Sequence, residues 1–88
     1  MVEQKNNLNV QPHSDEAEFA VLGSMLSSKE AVSKSIQWLK PEHFYKESHI
    51  KIFASMQNLF DKAEPIDTLS VSEYLKKNDD LDSVGGIY

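Results

Sequence analysis

Three histidines, His13, His43 and His49, have the widest chemical reach in this sequence, because imidazole can ligate a metal or carry a proton near neutral pH. Their spacing supports neither use. No two of them stand three or four residues apart, and the H-E-x-x-H pairing that places two imidazoles on one helix face is absent. His43 reads as part of a proline-led corner, and His49, three residues before Ile52, as a packed and hydrogen-bonded side chain on the inner face of a helix. Asp79, Asp80 and Asp82 suggest calcium, yet the glycine and distal glutamate of an EF-hand loop do not follow, which leaves a solvated acidic turn. Gly85-Gly86 has no Lys-Ser or Lys-Thr after it to cradle phosphate, and no G-x-S-x-G nucleophile elbow occurs. No catalytic, cofactor-binding or metal-ligating residue is assigned.

Charge narrows the remaining classes. The nine basic residues are all lysine against fourteen acids, for a formal net charge of −5. Without arginine the chain lacks the planar fork used for bidentate phosphate and guanine contacts, which argues against direct reading of DNA. The absence of cysteine removes disulfides and thiolate metal sites and fits a reducing compartment. No apolar run is long enough to cross a bilayer, and the N-terminus has no signal-peptide core, so a soluble, cytoplasmic protein without a membrane partner is expected.

Residues 1–11, rich in Asn and Gln, stand outside the apolar pattern and are expected to form a disordered leader. A single helical domain is expected over 12–88. Its first helix starts at Asp15, capped by Ser14 or by Asp15 itself, with Glu18 three residues on from Asp15 completing an approximate capping box. Val21, Leu22, Met25 and Leu26 recur at helical spacing along it. Gly23 interrupts this helix, either to let a neighbouring backbone approach or as a tolerated small residue. Ser27 and Glu30 form a second box-like start, followed by Val32, Ile36 and Leu39 at i, i+4 and i+7. Pro41 ends that helix and opens a short helical corner that delivers Phe44 and Tyr45 inward, with Trp38 covering its edge.

From Ser48 to Asp61 the stripe is strongest: Ile52, Phe53, Met56, Leu59 and Phe60 mark the central helix. A loop over Lys62–Ile66, closed by Pro65, leads to a last helix ending near Lys77, capped by Thr68 or Ser70, with Ser70 and Glu73 at box spacing. Val71, Tyr74 and Leu75 form its inner stripe. Asn78 is expected to end it in the left-handed conformation, with Leu81 tucked beneath an acidic connection. Gly85-Gly86 then reads as a turn into a further helix beyond residue 88. The fold class is therefore all-α: about four helices and a corner in a small compact domain, cut before a C-terminal hairpin. Phe19, on the second turn of the first helix, is the one candidate for partner binding; completion of the core is the favoured reading and an exposed anchor the other.

The order of these fragments resembles the N-terminal domain of bacterial DnaB-type replicative DNA helicases. The likeness rests on Pro12-His13-Ser14, Glu16-Ala17-Glu18, Val21-Leu22-Gly23, Phe44-Tyr45, His49, Ile52-Phe53, Pro65-Ile66-Asp67 and Leu81-Asp82-Ser83-Val84-Gly85-Gly86. It implies an all-helical collar domain of the primosome that supports a hexameric ring and docks primase. The partners implied are other helicase subunits and primase, with DNA engaged only through the full-length ring. ATP and Mg are expected in a motor domain outside this chain, so no cofactor is expected here. The fragment itself is then no enzyme, although the full-length protein would be an ATP-dependent helicase. Phe19 departs from the resemblance, which has a polar residue such as Gln at that position, and lysine replaces its usual arginines. A helix-turn-helix-like nucleic-acid module is the alternative, suggested by the short helix after Pro65-Ile66-Asp67, and the acidic charge weighs against it. A monomer or weak dimer is expected for the isolated chain.

Overall fold

Helix α1, Asp15–Ser27, begins where Ser14 supplies an oxygen to a helix end that would otherwise leave amides unpaired. The Ser14 hydroxyl accepts from the Ala17 N–H at 3.1 Å, while Asp15, Glu16 and Glu18 place negative charge against the positive end of the helix dipole. Residues 14–78 are described in this computed structural model. Four expectations fall outside them: the 1–11 leader, the tucked Leu81, the acidic connection and the Gly85-Gly86 turn.

Helix α2 spans Lys29–Trp38, and its cap is Ser28 rather than Ser27. The Ser28 hydroxyl takes the Ala31 N–H at 3.2 Å, whereas Ser27 lies in the last turn of α1 and donates to the Gly23 carbonyl. Of two adjacent serines, only the one in extended geometry can turn its oxygen back onto the new helix. A 3₁₀ turn over Pro41–His43 forms the expected corner, with the His43 Nδ1 accepting from the Lys40 N–H at 3.1 Å. Phe44 is delivered inward, its ring centroid 4.9 Å from that of Phe53. Tyr45 is not: it is 54% exposed, because the chain is extended at Phe44 and successive side chains there point to opposite sides. Trp38, at 73%, also stands in solvent instead of covering the corner.

Helix α3, Glu47–Asp61, is central as expected, packing on α1, on the 3₁₀ turn and on the fourth helix. Phe53, Met56 and Leu59 are buried and Ile52 is half-buried, but Phe60 is 40% exposed at the end of the stripe. The helix stops in a Schellman motif that the sequence did not announce. The Glu64 N–H reaches back to the Leu59 carbonyl at 2.9 Å and the Ala63 N–H to that of Phe60 at 3.0 Å, with Ala63 left-handed at φ 58°.

Helix α4, Thr68–Lys77, is capped by Asp67, not by Thr68 or Ser70. The Asp67 carboxylate accepts from the Ser70 N–H at 2.8 Å, so Ser70 is the donor in the cap rather than its oxygen. Asn78 ends α4 without turning left-handed (φ −99°) and instead donates its side-chain amide to the Tyr74 carbonyl at 2.8 Å. One cluster of nine buried residues joins all four helices and the corner: Leu22, Met25, Val32, Phe44, Phe53, Met56, Leu59, Val71 and Leu75. Among the described residues there is no strand, and no helix is long and apolar enough to cross a membrane.

Candidate interaction surface

Glu18 performs no capping-box function. It lies at the head of an i, i+4, i+7 series with Leu22 and Met25, so its side chain turns toward the core face of α1. His49 heads the matching series on α3 with Phe53 and Met56. The two meet: the Glu18 Oε1 is 2.8 Å from the His49 Nδ1, with side chains only 11% and 8% exposed. A carboxylate can only accept, so the Nδ1 carries the proton. The same carboxylate accepts from the Tyr45 N–H at 2.7 Å and the Lys46 N–H at 3.4 Å, the two amides just before α3. Glu18 thus ties the segment leading into α3 to α1. Burial pushes its carboxyl up, but the Tyr45 amide, the His49 ring and the Lys46 amide together outweigh it and hold the group below its ordinary value.

This junction is satisfied internally and offers nothing to a substrate. His43 is exposed on the corner, His13 lies outside the described residues, and no group of three or more metal-ligating side chains occurs among those described. His49 is the packed, hydrogen-bonded residue its position on the helix implies.

What the surface offers is apolar. Phe19 is 64% exposed, which overturns its reading as a core residue. It lies 100° around the helix from inward-facing Glu18, and α1 is apolar on several sides, so the pattern did not reveal which side would be covered. Leu69, at 67%, is exposed at the start of α4, where no sequence signal singled it out.

Among the described residues, two of the depressions lie between helices. The larger is an open groove of about 580 Å³, between the α1–α2 corner on one side and the end of α3 with the 63–67 loop on the other. Leu26, Val32, Phe60, Pro65 and Ile66 supply its apolar lining, and Lys29, Glu64 and Asp67 its charges. The smaller, about 300 Å³, lies between α3 and α4, where the Lys62 ammonium sits 5.8 Å from the centre of the Tyr74 ring.

Comparison with known proteins supplies the context for this small helical unit. The sequence model described as the DnaB-like helicase N terminal domain matches residues 10–88. The chain is 37% identical over 78 residues to the Replicative DNA helicase DnaB of Geobacillus stearothermophilus, covering 89% of this chain and 17% of that protein. It is 40% identical over 81 residues to the Replicative DNA helicase DnaC of Bacillus subtilis (strain 168), covering 92% and 18% respectively. The chain therefore spans under a fifth of the length of these relatives. Its fold matches the crystal structure of the N-terminal domain of DnaB helicase from Mycobacterium tuberculosis with a TM-score of 0.83 and 33% identity, over 86% of this chain and 54% of that one.

Proposed function

The chain belongs to the DnaB-like helicase N-terminal domain family, and from that membership we propose that it is the collar of a replicative DNA helicase, supporting ring assembly and docking primase. The observation that carries the reading is family membership, beside which Phe19, Trp38, Tyr45 and Leu69 are each exposed large apolar side chains. Large exposed apolar side chains are what protein interfaces use, and aromatic ones anchor them most strongly.

ATP and Mg, in this reading, serve a motor domain elsewhere in the polypeptide. The donor set here does not fit them: the sequence has no phosphate-cradling loop, and no step is assigned to either within this chain. DNA is engaged by the assembled ring, and the acidic charge of the chain is consistent with a collar that does not itself grip phosphate. The setting is the cytoplasm.

The test is a full-length polypeptide lacking residues 14–78. It assembles rings less readily and loses capture of primase, and the rings that do form keep nucleotide hydrolysis. Retention of primase capture would remove the docking role, and loss of hydrolysis from rings that still assemble would place chemistry in the collar.

A further inference from the structure

Phe60 occupies the last position of the strongest apolar stripe in the chain, and yet 40% of it is left exposed. The reason is local. The Schellman turn at Ala63 swings the backbone away from the end of α3, so the 63–67 loop forms a wall beside Phe60 instead of a lid over it. Half-buried Leu26 and Ile66 share the groove this leaves. Its volume suits a few large side chains rather than a whole small domain.

The charges at the groove are unequal. Glu64 and Asp67 stand on the loop side, and the Asp67 carboxyl is held below its ordinary value chiefly by the Ser70 N–H, which keeps it ionised. Lys29 stands alone on the α2 side. A nucleic acid would meet two carboxylates, and a fully acidic segment would be repelled along the same wall.

We propose that this groove, formed by Leu26, Val32, Phe60 and Ile66 and edged by Glu64 and Asp67, is a docking site for an amphipathic helix of a protein partner whose apolar stripe is flanked by lysine or arginine. The apolar stripe fills the floor, as helix-in-groove recognition requires, and the basic flank pairs with the loop carboxylates. The inference does not depend on the primase and ring reading.

Two synthetic helical peptides test it, sharing leucines at i, i+4 and i+7 and flanked in one by lysine and in the other by glutamate. Each is titrated into the isotopically labelled 88-residue chain and followed by amide chemical shifts. The lysine-flanked peptide perturbs Leu26, Val32 and Ile66 and binds roughly tenfold or more tightly than the glutamate-flanked one. Glu64→Lys, an exposed site whose backbone bond is retained, removes that preference, and Phe60→Ser weakens both peptides at a temperature where its amide spectrum shows the variant still folded. Binding centred elsewhere, equal binding of the two peptides, no binding by either, or indifference to Glu64→Lys overturns the proposal.

Discussion

The Glu18 carboxylate and the His49 imidazole, 31 positions apart in sequence, meet at 2.8 Å and join the first turn of α1 to the first turn of α3. Each begins a core-facing i, i+4, i+7 series, so the two helices start their packed faces on this polar contact and continue with Leu22, Met25, Phe53 and Met56. Because Glu18 also accepts the Tyr45 and Lys46 amides, its removal leaves several donors unpaired at once. Glu18→Ala is expected to cost about 1.5–3 kcal/mol in urea unfolding, the range for hydrogen bonds to a charged group. A double-mutant cycle with His49→Leu should leave a coupling of about 0.5 kcal/mol or more, and a coupling near zero would mean the contact is incidental.

Acid should weaken the fold through the same residue. The folded Glu18 carboxyl lies below its ordinary value of 4.5 and that of Asp67 below 3.8. A group depressed on folding contributes stability that is present in full above its unfolded value and is lost as pH falls through the folded one. The denaturant midpoint should therefore hold down to about pH 5 and fall below the ordinary glutamate value. With Glu18→Gln the Glu18 share of that fall disappears and the Asp67 share remains at lower pH. An unchanged acid limb in the variant would contradict the assignment.

Two substitutions of opposite sense should both stabilise the chain. At Gly23 an added Cβ meets nothing within 4 Å, so the glycine is tolerated rather than required by a close neighbour, and Gly23→Ala should gain about 0.5–1 kcal/mol. At Ala63 the backbone is left-handed at φ 58°, a conformation that costs an L side chain about 1–2 kcal/mol. Ala63→Gly removes that strain against some added chain entropy, for a net gain of up to about 1 kcal/mol. Thermal midpoints of the two single variants and the double variant check both values, and their separation on the chain makes additivity the expectation.

Phe53 and Phe19 should behave oppositely when truncated. Phe53 is fully buried against Phe44, and Phe53→Ala is expected to cost about 3–5 kcal/mol. Phe19 is 64% exposed, and Phe19→Ser should shift stability by no more than about 0.5 kcal/mol. Equal losses in chemical unfolding would place Phe19 in the core after all.

The helices were legible because stripes such as Phe53, Met56 and Leu59 have only one periodic explanation. Helix starts were legible to within one to three residues, and the misses share a cause. Ser27 and Ser28, or Asp67, Thr68 and Ser70, are all competent caps by residue type, and backbone geometry alone decides which oxygen turns inward. Glu18 reads as a capping-box partner because it stands three residues on from Asp15, although its register with Leu22 and Met25 carries the truer signal. The exposed surface was least legible. Phe19, Trp38, Tyr45 and Phe60 are apolar residues at the margins of stripes, and only the path of the neighbouring chain determines whether a margin is covered.

The most direct test of the account is a calorimetric titration of the cognate primase into this chain and into a longer polypeptide that continues beyond residue 88. Saturable binding to one or both, without nucleotide, is the predicted result. Absence of heat and of complex with both would contradict the claim that this helical unit exists to dock proteins.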